Sequence, residues 1–238
     1  MAKAKKVILF IVEGSTDETA FGLLFERVFK EHAVKFDIVG GDITTQVSTP
    51  PASARQRVRD RLLSRLRLKG YRWSDLERVV HIVDTDGAYV PDAAVVTGPS
   101  NRLIYESQRI LTPNVQRIVE RNRIKHAALD ELISMEALTY QKRSVPYAVY
   151  YLSRNMEHAL HGIAEELSTD EKERKAREFQ RRYKDDIAGF MAFLQSPSVA
   201  NDGSYEETWG YIRQGTNSLV RGSNLHLVLE PGESRSNQ

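Results

Sequence analysis

The sequence predicts an α/β fold in which a parallel sheet is flanked by helices and followed by a helical extension. Over the first part of the chain, short apolar runs rich in β-branched residues alternate with amphipathic stretches, as in a parallel sheet with helical crossovers. After Ser153 only helical patterns follow. We therefore expect an α/β core over residues 1–153, a helical extension over 154–230 that packs on this core, and a disordered tail over 231–238.

The composition is that of a globular protein. The chain has 238 residues, enough for one large domain or for one domain with a substantial appendage, and its net charge of +2 says little about partners. No apolar run approaches the roughly 18 residues that span a bilayer, and the basic start lacks a signal-peptide cleavage site. The lack of cysteine excludes disulfides, thiol catalysis and cysteine-ligated zinc. We expect a cytoplasmic protein with no membrane partner.

Four apolar runs predict the buried strands of the sheet. They are continuous, β-branched and too short for helices. They cover residues 6–12, 34–39, 78–83 and 145–153. The second run ends at Gly40 and Gly41, and the polar, proline-containing stretch 44–54 that follows predicts a loop that moves.

Periodic apolar residues predict the helices between and after these strands. The first is expected from Thr16 to about His32, because Phe21, Leu24 and Phe25 form one stripe. Further helices are predicted over residues 53–68, 112–133, 155–163, 168–194 and 204–214.

Acidic residues follow two of the predicted strands directly. Glu13 comes after the first strand, and Asp84 and Asp86 come after the third. Ligands of open parallel sheets bind outside the carboxyl ends of the strands, so these three carboxylates should share one edge. Ligands that are all oxygen suit a hard cation, which makes Mg²⁺ or Mn²⁺ the expected cofactor.

Helix capping offers an ordinary explanation for some of these acids. The stretch from Ser15 to Glu18 matches a capping box, in which Asp17 and Glu18 complement the helix dipole. Capping accounts for Glu18, and Asp17 fits a capping or a metal-binding role equally well. An Asp-x-Asp pair after a strand also occurs in simple turns. Capping does not explain Glu13, which precedes the helix start.

The segments IVEGSTDETAF and HIVDTDGAYV together resemble the Toprim domain of topoisomerases, DnaG-type primases, ribonuclease M5 and OLD-type nucleases. The resemblance covers roughly the first 150 residues. It implies that Glu13 acts as general acid/base or metal ligand, that Asp84 and Asp86 bind Mg²⁺, and that Asp17 is a further ligand. The sequence lacks a recognisable topoisomerase tyrosine, a primase zinc module and an ATPase domain, which indicates a small stand-alone Toprim-like protein.

Two further regions are candidates for the site. Glu157 lies just after the fourth predicted strand and reaches the same edge if that strand is parallel, where it is a candidate metal ligand.

The helix over 53–68 is rich in arginine, which indicates either a solvated face or a phosphate-binding surface. The nucleic-acid-binding candidates on it are Arg55, Arg59, Arg61 and Arg65. A polar group, Asn217, Ser218, Arg221 and Asn224, fits a phosphate site or a surface loop.

Three hypotheses for the function follow. The first, implied by the resemblance, is a Mg²⁺-dependent endonuclease that cleaves DNA or RNA, with a role in phage defence and a separately encoded ATPase as a partner protein. The second is a nucleic-acid-binding or partner-recruiting module whose acidic site is vestigial. The third is phosphomonoester or nucleotide chemistry on a small molecule, which would leave the arginine-rich helix without a role.

Overall fold

A five-stranded, mostly parallel sheet forms the centre of the molecule. The computed structural model describes residues 6–38, 43–45 and 53–230. Four strands run parallel: β1 (Val7–Val12), β2 (Ala33–Ile38), β3 (Leu76–Asp84) and β8 (Arg143–Leu152). The carboxyl ends of these four strands therefore lie at one edge, as the sequence predicts. With the fifth strand, β7 (Ala137–Tyr140), the order across the sheet is β2-β1-β3-β8-β7.

The fifth strand, β7 (Ala137–Tyr140), was not predicted and runs antiparallel to β8, so the sheet is mixed. It pairs with β8 through the tight turn at Gln141 and Lys142, both of which have positive φ. Only four residues long, β7 carries too few apolar positions to show a strand period.

Seven helices are present among the described residues. Their bounds are α1 Ser15–Val28, α2 Ala54–Lys69, α3 Val115–Ile133, α4 Met156–His161, α5 Thr169–Tyr183, α6 Ile187–Leu194 and α7 Tyr205–Ile212. The helix α1 ends four residues before the predicted His32. The single helix predicted over 168–194 is two helices, because Asp186 starts a new one: its Oδ1 accepts the N–H of Gly189 at 2.8 Å.

The helices cover both faces of the sheet. On one face, α2, α3 and α7 pack against alternate residues of β1 such as Leu9 and Ile11. On the other face, α1, α4, α5 and α6 pack against Phe10 and its neighbours. The predicted helical extension thus contributes to both cores, and no helix in the described part of the chain is long and apolar enough to cross a membrane.

A second, three-stranded sheet is inserted between β3 and α3. It consists of β4 (Val95–Thr97), β5 (Ile104–Tyr105) and β6 (Ile110–Thr112), in the order β4-β6-β5. Strands of two or three residues leave no periodic signal, so the sequence does not predict them. This small sheet brings Tyr105 to the carboxyl edge of the main sheet, where its hydroxyl lies 3.5 Å from Asp86 Oδ1.

Residues 39–42 and 46–52 and the tail 231–238 lie outside the described residues. The predicted end of the second strand at Gly40 and Gly41, most of the predicted loop, and the predicted tail fall within them.

Candidate active site at the carboxyl edge of the sheet

The turn from β1 into α1 places Glu13 and Asp17 at the carboxyl edge. All six residues of β1 are buried, and the chain leaves the sheet at Glu13. Gly14 is the residue that caps α1, and its N–H donates to Asp17 Oδ2 at 2.9 Å. The acid that caps the helix is therefore Asp17, because the cap lies one residue before the Ser15 that starts the predicted capping box. Glu18 is not part of the box, but it lies in the first turn, where it complements the helix dipole as predicted. Asp17 is buried and Glu18 is exposed.

The turn after β3 is tied to the end of β8. Asp86 has a left-handed backbone (φ 47°), and its N–H donates to the carbonyl of Arg154 at 2.9 Å. Thr85 contributes two more bonds: its N–H donates to Leu152 O, and its Oγ1 accepts the N–H of Arg154. A Cβ at Gly87 would crowd the side-chain ends of Ile110 and Asn122, so a larger residue there would require both side chains to shift. These contacts fix Asp84 and Asp86 against two neighbouring strands.

Three of the predicted acids meet around a buried lysine. The N–H of Asp84 donates to Glu13 Oε1 at 3.3 Å. The ammonium of Lys125, in α3, lies 3.5 Å from the same Glu13 oxygen and 2.6 Å from Asp86 Oδ2. The side chain of Lys125 is fully buried, whereas those of Glu13 and Asp86 are 18% and 30% exposed. Lys125 is thus an internal cation shared by two carboxylates.

Crowding of negative charge perturbs the most buried acids. Burial raises the pKa of Asp84 well above its usual value, and the nearby charges of Glu13, Asp17 and Asp86 raise it further, against the opposing effect of Lys125. Burial also raises the pKa of Asp17 to about 6, with a further contribution from Glu157. One buried ammonium therefore does not offset the negative charge of these acids, and the crowding favours the protonated forms of Asp84 and Asp17.

Glu157 belongs to the same edge. It lies in the first turn of α4, and its side chain is only 5% exposed. Lys172 of α5 places its Nζ 3.9 Å from Glu157 Oε2. Because the charge of Glu157 acts on Asp17, the structure brings it together with the acids that follow β1.

The acids fit a hard cation by their chemistry, since every donor is a carboxylate oxygen. Among residues 6–38, 43–45 and 53–230, however, no three histidine, aspartate or glutamate side chains form a ready-made metal site. The ammonium of Lys125 stands between Glu13 and Asp86 instead. We refer to Glu13, Asp17, Asp84, Asp86 and Glu157 as the acidic cluster.

Lys125 was missed by sequence reasoning, although a signal exists. It falls on the buried stripe of α3, between Ile118 and Leu129, with Asn122 at the preceding turn. A lysine at a core position of an amphipathic helix requires a buried partner charge. The partner itself could not be read from the sequence, because Asp86 is 39 residues away.

The arginines of α2 are spread along the helix rather than gathered at one point. Arg55 is exposed at the start of α2, which Glu131 caps by accepting the N–H groups of Ala54 and Arg55. Arg59 contacts its neighbour Asp60 at 3.3 Å. Arg61 is half-buried, with its Nε shielded from solvent.

Arg65 lines a cavity of about 520 Å³ between α1, β2 and α2. Lys69 and Tyr71 line the same cavity, together with apolar residues of the first two strands. The cavity also reaches Glu18, the neighbour of Asp17. Arg65 is therefore only half-buried and retains access to this space.

The polar group near the C-terminus makes structural contacts. Arg221 donates from Nε and Nη2 to the carbonyls of Ala159 and Leu160 at 3.0 Å, which closes the end of α4. Asn224 is fully buried and accepts the N–H of Tyr151 at 2.8 Å. Ser218 is also buried. The surface-loop alternative is therefore wrong for Ser218 and Asn224, which are buried, and the phosphate site stays a prediction.

Comparison with known proteins adds no relative. No family model, curated protein or solved structure matches the chain. The assignment of a function therefore depends on the acidic cluster and its surroundings.

Proposed function

We propose that the protein is a divalent-cation-dependent endonuclease of the Toprim type, which hydrolyses phosphodiester bonds of DNA or RNA. The observation that carries the proposal is the meeting of the acidic cluster at the carboxyl edge of four parallel strands. Its members come from three separate strand ends, and the charges of Glu13, Asp17 and Asp86 all raise the pKa of Asp84. Holding that many acids together without enough counter-charge is costly, so the arrangement favours a cation-binding role.

Mg²⁺ or Mn²⁺ is the cofactor that these donors suit. The ion would be held by Asp84, Asp86 and Glu13. The other two members of the acidic cluster, Asp17 and Glu157, would add carboxylates next to it. When bound, a divalent ion supplies charge that polarises the phosphate and activates water. Glu13, which is partly exposed, is placed to orient the attacking water and take its proton. Lys125 offsets part of the carboxylate charge when no metal is present.

The remaining parts of the proposal concern substrate and partners. Positive charge for flanking phosphates is offered along α2 by Arg55, Arg59, Arg61 and Arg65. The proposal includes both DNA and RNA, because no base-reading module accompanies the site. A role in phage defence, with a separately encoded ATPase as partner, belongs to the proposal through the resemblance to stand-alone Toprim nucleases.

A cleavage assay tests the proposal. Purified protein is incubated with supercoiled plasmid and with total RNA, with Mg²⁺, with Mn²⁺ or with EDTA. Wild type should nick or cut one of them only with the metal, and Asp84→Asn should not. Asp185→Asn, which changes an exposed acid in the turn after α5, is the matched control and should cleave like wild type. Cleavage by Asp84→Asn at the wild-type rate would end the proposal.

A non-catalytic nucleic-acid-binding module is the second candidate. It is favoured by Lys125, whose ammonium already stands between Glu13 and Asp86 where a metal would be expected. On this view the cluster is neutralised internally and needs no divalent ion. Nucleic-acid binding that is unchanged by Mn²⁺ titration, without cleavage of either substrate, would select this candidate.

A further inference from the structure

A buried arginine that forms no ion pair with any described residue lies beside the acidic cluster. Arg154 lies two residues after the end of β8 and is 4% exposed. Its backbone is left-handed (φ 61°), a conformation that a non-glycine residue adopts at a cost. The bonds to Thr85 and Asp86 hold it there, so the residue is fixed at the turn that carries Asp84 and Asp86.

Of the guanidinium nitrogens Nε and Nη2 of Arg154, only Nη2 has a hydrogen-bond acceptor among the described residues. Its guanidinium carbon lies 5.1 Å from the centre of the Tyr105 ring. Its Nη2 donates to the carbonyl of Ala164 at 2.5 Å, whereas the buried Nε beside it has no acceptor among the described residues. Among the described residues no carboxylate lies within ion-pair distance of this guanidinium, although the charge of Glu165 acts on it from farther away. A buried guanidinium is expensive unless an anion meets it.

A second arginine reaches the same tyrosine from α3. Arg121 donates from Nη2 to the hydroxyl of Tyr105 at 2.8 Å, and that hydroxyl lies 3.5 Å from Asp86 Oδ1. Tyr105 therefore stands between two guanidinium groups and the acidic cluster. Positive charge on this side of Asp86 is concentrated in Arg121 and Arg154.

We propose that Arg154, assisted by Arg121, binds a backbone phosphate of the nucleic acid next to Asp86. The Nε and Nη2 of an arginine point in the same direction and match two oxygens of one phosphate. A bound phosphate takes the acceptor position at the orphaned Nε and replaces the Ala164 carbonyl at Nη2. The inference rests on the proposed function for the identity of the anion, but the orphaned Nε is an independent observation.

Tyr105 positions the side chain of Arg154 in this site. Its ring supports the guanidinium of Arg154 by a cation–π contact, and the contact needs the ring rather than the hydroxyl. Tyr105→Phe should therefore keep phosphate binding, whereas Tyr105→Leu should weaken it. The small inserted sheet, which carries Tyr105 in β5, thereby has a role in substrate binding.

Binding without cleavage tests the inference separately from the nuclease proposal. We would measure fluorescence anisotropy of a labelled single-stranded oligonucleotide in EDTA, at several salt concentrations. Arg154→Gln should bind roughly tenfold more weakly, as expected for the loss of a charge-assisted pair, and its salt dependence should fall by about one unit of slope. Arg154→Lys should lose less, because it keeps the charge but not the planar fork.

Arg78→Gln is the matched control. Arg78 also stacks on an aromatic ring, at 5.0 Å from the centre of Phe29, and donates to a carbonyl, that of Val228. It lies near the start of β3, at the end opposite to Asp84. The Arg78→Gln variant should have a lower free energy of unfolding and an unchanged oligonucleotide affinity.

The outcomes separate the inference from the proposed function. Weaker binding by Arg154→Gln supports the inference even if wild type never cleaves, a result that would overturn only the nuclease proposal. Wild-type affinity and salt slope in both Arg154→Gln and Arg154→Lys, with a lower melting temperature, would overturn the inference and leave Arg154 a structural residue. Loss of binding to a 5′-mononucleotide but not to the oligonucleotide would also overturn it, because the site would then serve a small molecule.

Discussion

The charge on Asp17 should destabilise the folded protein at neutral pH. Burial and the proximity of Glu157 raise the pKa of Asp17 from its usual 3.8 to about 6. Between these two pH values Asp17 is protonated in the folded state and ionised in the unfolded state. The stability that comes from a neutral Asp17 in the folded state is therefore fully present below pH 3.8 and is lost as the pH rises through 6. Since one pKa unit corresponds to about 1.4 kcal/mol, the charged form of Asp17 costs about 3 kcal/mol above pH 6.

Replacing Asp17 with Asn removes this cost and keeps the local geometry. An amide oxygen can still accept the N–H of Gly14, which donates to Asp17 Oδ2 at 2.9 Å. Asp17→Asn should match wild type in stability near pH 4 and exceed it by about 3 kcal/mol at pH 8. Urea unfolding followed by circular dichroism, repeated at several pH values without divalent metal, measures the difference directly.

The exposed neighbour Glu18 provides the control. Glu18→Gln also removes an acid from the first turn of α1, but from an exposed position, so stability should change by less than about 0.5 kcal/mol at every pH. If Asp17→Asn is no more stable than wild type at pH 8, or if the gain is the same at pH 4, the crowding of buried acids is refuted.

Three other predictions concern the acids, the lysine and the arginine-rich helix. Asp84→Asn should be at least as stable as wild type without metal, because one repelling charge is gone; a large loss in thermal melting would mark Asp84 as a structural acid. Lys125→Met should lose about 3 kcal/mol in metal-free urea unfolding, because Glu13 and Asp86 lose their buried partner, and added Mn²⁺ should restore part of it; an unchanged midpoint would contradict this. Replacing Arg55, Arg59 and Arg61 together by Gln should weaken oligonucleotide binding by a similar factor for every sequence and make the affinity less dependent on salt. Unchanged binding at low salt would refute the proposal that these arginines bind phosphates.

The sequence predicted those parts of the fold that depend on local patterns. The apolar runs marked β1, β3 and β8, and the strand–acid junctions placed Glu13 and Asp84 at the edge where the structure has them. Each of these signals lies within about ten residues of sequence. The small inserted sheet and β7 gave no such signal, because strands of two to four residues have no measurable period.

The missed site residues depend on tertiary contacts. Lys125 reaches Asp86 across 39 residues, and Arg154 reaches Thr85 across 69. Neither separation can be inferred from spacing, because the partners meet only when β3, β8 and α3 have packed. The capping of α1 by Asp17 rather than Glu18 has a different cause. Sequence patterns locate a helix start only to within one or two residues, and a shift of one residue decides which acid caps the helix.

Binding of Mn²⁺ tests the central claim most directly, because the acidic cluster is proposed to hold a divalent ion whatever the substrate. Electron paramagnetic resonance reports the free ion, whose signal falls when protein binds it. Wild type should lower the signal, Mg²⁺ should restore it by competition, and Asp84→Asn should leave it close to that of free Mn²⁺. An unchanged signal with wild type, or an equal decrease with Asp84→Asn, would contradict the assignment of a metal to these acids.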